Sequence, residues 1–468
     1  MRFAPAGRTA ARHRRIHHRS TGRWCLVLAL VSSVWVTACD KASHENIDKW
    51  LETTKGPGKL KDAMKDGDLD ADLRAHAAQN LIRLGQETEV FEFFEKAKPE
   101  TAQKILAKLA PRLWENARVD GAMSVPDRIQ STAKDALFFL RPQADEATRS
   151  QIDTYLVDWL SGGYYKGRSE SGRARGEQIL RAVGPSAGPK MIAAINAVIA
   201  APPDDKGNPR AISDEILLGA AVTGSPEAVA KLLELGTSNV AEKRPKLLRQ
   251  VLVMLELAYV DAEGFENADP AGLKPNLPAI VALAKDQSRG DEIASIAINL
   301  IRAAGSPDCL APLLEMISFP HSNDRYRWVA AQRALDCAQI SGIVPVVEAF
   351  PPRGEYSRLS LDDSLWKRMN GMTPRAEVAA KARLLLASQS PIARVTGIEV
   401  LGKASDAATA AEDAATLRGL AGDKAALLGW WGDQSEVPKK QRKPVPTVGS
   451  RASEVAKSLE ELAKAGQK

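Results

Sequence analysis

The chain has 468 residues, 44% hydrophobic and 26% charged, a globular composition that excludes a largely disordered protein and is long enough to bury a sizeable core. Only 5% of the residues are aromatic, and abundant Ala, Leu and Ile suit close-packed helices better than sheets. The formal charge of +6 suggests nucleic acid, yet residues 1–38 hold seven arginines and no acid; taking those seven from the 64 basic residues leaves 57 against 58 acidic ones. The basicity belongs to the leader, and no nucleic-acid partner is expected.

That leader joins its arginines to a hydrophobic run, Trp24 to Val36, which is too short for a span of ~20 residues. Val36-Thr37-Ala38-Cys39 follows, and it resembles the lipobox of bacterial lipoproteins. The resemblance implies a signal peptide over 1–38, cleavage before Cys39, a diacylglycerol on its thiol and an acylated amine. Two acyl chains at one residue give stable membrane anchoring in the cell envelope, facing the periplasm. Asp40 leans towards retention at the inner membrane. The alternative is a plain signal peptide, or an uncleaved anchor, with Cys39 incidental.

Residues 39–44 make a short tether, and Glu45 to Thr53 reads as a helix with Ile47, Trp50 and Leu51 on one face. Lys55-Gly56-Pro57-Gly58 breaks it, and a helix over Lys59 to Met64 leads into Asp66-Gly67-Asp68-Leu69-Asp70-Ala71-Asp72. The next segment, Asp70-x3-Arg74-x2-Ala77-Ala78-x2-Leu81-x2-Leu84-Gly85, resembles a HEAT repeat, especially the short type of phycobilisome-lyase-like proteins. Arg173-x2-Gly176-x3-Leu180-x2-Val183-Gly184 keeps the same spacing, and Tyr326-Arg327-x2-Ala330-Ala331 and Arg394-x2-Gly397 keep parts of it.

Helix-boundary signals recur as well. Gly224-Ser225-Pro226-Glu227 and Gly305-Ser306-Pro307-Asp308 both combine a glycine suited to the left-handed helix end, a serine cap, a proline for the first turn and an acid facing the helix N-terminus. Gly184-Pro185-Ser186-Ala187 and Ile343-Val344-Pro345 extend the series at spacings of roughly 33 to 47 residues, the signature of an α-solenoid. The expected fold is all-α: antiparallel HEAT-like helix pairs over 45–431, wound into a right-handed superhelix. Loops are expected at Val119 to Pro126, Pro202 to Pro209, Asp261 to Pro278 and Arg353 to Pro374. A basic, Pro-rich extended loop over 432–450 precedes a C-terminal capping helix over 451–468, with Ala452, Val455, Ala456, Leu459 and Leu462 on one side.

No motif supplies a catalytic centre, a metal site or a cofactor site. Asp68, Asp70 and Asp72 have the spacing of a calcium loop, but Leu73 replaces its glycine and Gln79 its bidentate glutamate, so helix capping accounts for them better. Ser131-Thr132-Ala133-Lys134 matches S-x-x-K of penicillin-binding enzymes without the partner motifs. Lys166, Arg168, Arg173 and Arg175, around Gly167 and Gly172, form one basic cluster; Lys439, Lys440, Arg442 and Lys443 form another. Each is either a solvated edge or a contact for an anion or acidic partner.

Cys309 and Cys337 are the thiols left once Cys25 is removed with the leader and Cys39 is lipidated. In stacked helix pairs they fall on one edge, and an oxidising compartment favours a disulfide between them; two buried free thiols filling apolar space are the alternative. The function expected first is an interaction scaffold for an envelope protein or peptide. Binding of peptidoglycan or another anionic glycan through the two basic clusters is the second expectation. An enzyme or enzyme-assembly factor related to lyase-like HEAT proteins is the third.

Overall fold

The computed structural model describes residues 41–119, 124–163, 165–261, 265–321, 323–352 and 354–466. The leader, Cys39 and Asp40 lie outside the described residues, and with them the whole reading of the membrane anchor. Among the described residues no helix is long and apolar enough to cross a membrane.

The chain is helical throughout, and among the described residues the only strand-like pairing is an isolated antiparallel bridge between Ala426 and Thr447. The first third holds α1 (His44–Lys49), α2 (Gly56–Lys65), α3 (Ala71–Arg83), α4 (Glu87–Lys96), α5 (Pro99–Ala117), α6 (Arg128–Leu140), α7 (Glu146–Ser161) and α8 (Tyr165–Ser169). The middle holds α9 (Gly176–Val183), α10 (Gly188–Ala200), α11 (Asp214–Ala221), α12 (Pro226–Thr237), α13 (Asn239–Glu242), α14 (Leu247–Tyr259), α15 (Leu277–Lys285) and α16 (Asp291–Ala303). The last third holds α17 (Leu310–Ser318), α18 (Arg325–Ala338), α19 (Ile343–Glu348), α20 (Arg358–Leu361), α21 (Lys367–Asn370), α22 (Arg375–Leu385), α23 (Pro391–Ala404), α24 (Ala410–Gly419) and α25 (Val448–Gly466).

Packing is local in sequence. Neighbours pair as α2 with α3, α5 with α6, α15 with α16, α17 with α18, and α22 with α23. Pairs then join through helices further along, as α3 on α5, α14 on α16, α16 on α18, and α23 on α25. Small residues permit the close approaches: Ala77, Ala78, Ala330 and Ala331 are fully buried. A Cβ on Gly397 of α23 would lie 2.7 Å from the Ala382 carbonyl oxygen of α22.

The arginine of the repeat-like segments has a defined task. Arg74 Nε donates to the Met64 carbonyl at the end of α2 (3.0 Å), and Arg327 Nε donates to Ile317 at the end of α17 (2.9 Å). Both side chains are buried. The last carbonyls of a helix lack intrahelical donors and carry the negative end of its dipole, so a cation placed there satisfies both needs. Asp70 caps α3 by accepting from the Asp72 and Leu73 amides, each at 2.9 Å.

The boundary signals work unequally. Gly224 is left-handed (φ 67°), Ser225 Oγ accepts from the Ala228 amide at 3.2 Å, and Pro226 opens α12, as expected. Gly305 is also left-handed, at φ 79°, but Ser306 and Pro307 belong to a turn closed by Cys309 N–H to Gly305 O (3.0 Å), and α17 starts only at Leu310. Cys309 stands there as the residue before the helix, and it forms a disulfide with Cys337 of α18, their Cα atoms 6.5 Å apart.

Two loop expectations change. Residues 358–370 are helical through α20, a wide turn over Asp362–Trp366 and α21, because Leu361, Leu365, Trp366 and Met369 share a buried face. The C-terminal helix starts at Val448 instead of residue 451, since the Val448 amide is already tied to Ala425 O at 2.9 Å. Ala452, Val455, Ala456 and Leu459 are buried as expected, whereas Leu462 is exposed and Ala463 is buried in its place.

Candidate binding cleft between α4, α6 and the 167–173 segment

The start of α6 is fixed by reciprocal capping. The Asp127 carboxylate accepts from the Gln130 amide and the Gln130 side chain accepts from the Asp127 amide, both at 2.8 Å. Gln130 Nε2 also donates to Arg118 O at 2.6 Å, which ties the incoming loop to the helix. Helical spacing then puts Arg128, Ser131 or Thr132, Asp135 and Phe139 on one face. Opposite them stand Glu87 and Phe91 of α4 and the segment around Gly167 and Gly172, enclosing a cleft of about 790 Å³.

The cleft's rear wall is a buried ion pair. Lys134, 1% exposed, donates from Nζ to Asp135 Oδ1 (2.7 Å), to Ser171 O (2.8 Å) and to Ala174 O. Asp135 in turn accepts from the Arg173 amide on Oδ2 (2.6 Å) and from the Ala174 amide on Oδ1 (2.9 Å). One lysine and one aspartate thus satisfy two carbonyls and two amides of a loop that has no helix to satisfy them. Burial pushes the Lys134 pKa below the usual lysine range, against the pull of the Asp135 carboxylate. Gly172 is obligatory here: its φ is 76°, and a Cβ would lie 2.5 Å from Asp135 Oδ2.

This geometry also decides the S-x-x-K match. Ser131 Oγ donates to Asp127 O at 2.7 Å, and all three Lys134 hydrogens are engaged with Asp135 and the loop carbonyls. The pair therefore has a structural task, and the motif's serine and lysine are not joined.

The open part of the cleft combines three kinds of contact. Phe91 and Phe139 meet edge to face with centroids 5.8 Å apart, and the Arg173 guanidinium lies 5.4 Å from the Phe139 ring. Arg128 passes over Gly85, where a Cβ would lie 2.8 Å from its Nη1. Neither arginine enters an ion pair among the described residues. On the acid side, one carboxylate oxygen of Glu87 is buried without a hydrogen-bond donor. The open part of the cleft thus offers an apolar wall, two cations and an acceptor in want of a donor.

The first basic cluster is divided: Lys166, Arg173 and Arg175 are exposed, and Arg168 is buried. Arg168 is 5% exposed; its Nη1 donates to Trp159 O of α7 at 2.8 Å, while Trp159 Nε1 donates back to Arg168 O at 3.2 Å. Its expected role as an anion contact is corrected: it occupies, under the end of α7, the position that Arg74 and Arg327 occupy under α2 and α17. Lys166 pairs with Glu215 of α11 at 2.8 Å and holds that carboxyl below its usual range. Arg175 is exposed just before α9, and of the four only Arg173 lines the cleft.

The second cluster stays outside. Lys439 and Lys440 are exposed in a short 3₁₀ turn, Arg442 donates to the Val437 (2.9 Å) and Ser435 (2.8 Å) carbonyls, and the Lys443 ammonium lies 4.7 Å from the Trp431 ring centroid. Among the described residues no group of His, Cys, Asp and Glu is placed to hold a metal ion. The cleft is not legible in the sequence, although Gly167 and Gly172 mark one of its walls and the Ser131–Lys134 spacing another.

No protein-family model matches the chain, and no curated protein matches it. A solved structure described as the crystal structure of an engineered protein is similar at 14% identity, over 87% of this chain and 98% of that one. Its TM-score of 0.26 is too low to carry an argument.

Proposed function

We propose that this protein is a lipid-anchored scaffold of the bacterial envelope: an α-solenoid of HEAT-like helix pairs wound as a right-handed superhelix, tethered through Cys39 and facing the periplasm. It holds an envelope protein or peptide in the cleft between α4, α6 and the 167–173 segment. The architecture part of this reading is supported by the buried arginine recurring under three helix ends, those of α2, α7 and α17, at Arg74, Arg168 and Arg327. The anchoring part rests on Val36-Thr37-Ala38-Cys39 alone.

The observation that carries the binding part is the pairing of Arg128 and Arg173 with the Phe91–Phe139 wall in an open, pre-shaped cleft. Arginines and aromatics of this kind dominate the energetics of protein contacts. The test is photocrosslinking in intact envelopes, with benzoylphenylalanine in place of Val125, which is 68% exposed on the cleft rim. One reproducible polypeptide adduct is expected, falling about tenfold or more when Arg128 and Arg173 are both changed to Glu. Absence of an adduct, or an adduct indifferent to those changes, contradicts the reading. Separately, Cys39→Ser is expected to abolish acylation at that position, read by mass spectrometry of the N-terminal residue of the mature chain.

A further inference from the structure

The 432–447 excursion is closed at its neck and ordered within. Leu427 N–H donates to Pro446 O and Val448 N–H to Ala425 O, both at 2.9 Å, and Trp431 Nε1 donates to Pro444 O at 2.9 Å. Inside the excursion Lys443 N–H donates to Gln434 Oε1 at 2.9 Å, and Arg442 holds the Ser435 and Val437 carbonyls. A second segment runs alongside: Tyr356 N–H donates to Leu428 O (3.1 Å) and Arg358 N–H to Trp430 O (3.0 Å), which sets the backbone just before Leu359 beside Trp430.

Large apolar side chains are concentrated there. Leu359 is 70% exposed, Leu428 46%, Trp431 39% and Val445 47%, four of the nine exposed large hydrophobics among the described residues. Burial would be favourable for each, and nothing in the chain buries them. Around them stand the exposed cations Arg358, Lys439, Lys440, Arg442 and Lys443, against the acids Glu355, Asp433 and Glu436. Asp433 is partly engaged, accepting from the Ser435 amide at 2.8 Å.

We propose that this Leu359–Trp431–Val445 surface docks on an anionic phospholipid surface. Exposed lysines whose ammonium groups have no acceptor on the protein are complementary to a layer of headgroup phosphates. Lys443 lies across Trp431, so its aliphatic stem covers apolar surface while its charge stays at the edge, and the indole itself suits the boundary between headgroups and acyl chains. The apolar tips on a fixed loop enter the outermost part of the acyl layer without any change of fold. This contact is independent of the cleft and of Cys39.

The test uses the chain from residue 39 onward, the form that cleavage of the leader leaves, with Cys39 replaced by Ser and an environment-sensitive fluorophore on Val445→Cys. Vesicles of equal parts phosphatidylglycerol and phosphatidylcholine are expected to shift the label's emission to the blue. Pure phosphatidylcholine vesicles are expected to leave it unshifted, and salt at about 0.5 M, where screening acts within a few ångströms, to reverse the shift. Lys439→Glu with Lys440→Glu is expected to weaken the response at least about tenfold, as both charges lie near the surface. Cosedimentation of the unlabelled chain, with and without that pair of changes, reads the same loss free of any effect of the label. No shift with anionic vesicles, an equal shift with neutral ones, or an equal response to polyglutamate, which would make the occupant an acidic polypeptide, overturns the proposal.

Discussion

The two basic clusters look alike in the sequence, but only the first sends a member into the core of the fold. In the first, Arg168 is buried under α7, Lys166 is paired with Glu215, and Arg173 is held by its own backbone amide on Asp135. In the second, Lys439 and Lys440 point to solvent and Lys443 lies on an exposed indole. Charge density therefore does not separate structural from surface cations here. What sets Arg168 apart is an acceptor within reach: the Trp159 carbonyl near the end of α7 takes its guanidinium, whereas the Asp135 carboxylate takes only the Arg173 backbone amide and leaves that guanidinium exposed, and the Pro-rich second segment offers only its own loop carbonyls.

That contrast is broken or sharpened by a graded set of substitutions. Lys134→Met, which leaves Asp135 buried without its cation, is expected to cost roughly 3–5 kcal/mol in urea unfolding. An unchanged midpoint would remove the ion pair from the account. Arg168→Gln withdraws a charged donor from the Trp159 carbonyl and should cost roughly 1.5–3 kcal/mol; the equivalent change at Arg442 should be much milder, and equal effects at the two would erase the contrast. Gly172→Ala must hold a side chain in the left-handed region, at about 1–2 kcal/mol, and press on Asp135 besides. It should also lower crosslinking from position 125 more than it lowers overall stability. Lys440→Glu is expected to leave the unfolding midpoint where it is and to change only vesicle binding.

The all-helical fold was legible because it is written in repeated local rules: Asp70 as a cap, Gly224-Ser225-Pro226 as a boundary, and Ala77-Ala78 as a close-packing pair. The Cys309–Cys337 pairing was legible because both residues sit at helix ends in consecutive units. The start of α17 was misplaced because Ser306 and Pro307, which repeat the capping residues of α12, are taken up by a turn. Arg168 was misread for a related reason. The spacing that aligns with Arg74 selects Arg173, yet α9 begins only at Gly176, so the residue that reaches the preceding helix end comes earlier, at Arg168. The cleft was not legible because its parts, Phe91, Arg128, Asp135 and Arg173, come from separate elements joined only by tertiary packing.

The claim that the Lys134–Asp135 pair builds the 171–174 loop into the fold, and so pre-shapes the cleft, is tested most directly by amide hydrogen exchange at Arg173 and Ala174. Both amides donate to the buried Asp135 carboxylate, so they are expected to exchange only through unfolding that opens α6, and to become fast in Lys134→Met. The amides of Lys439 and Lys440 provide the exposed reference within the same molecule. If Arg173 and Ala174 exchange as fast as that reference in the unaltered protein, the loop is not held by the ion pair and the account fails.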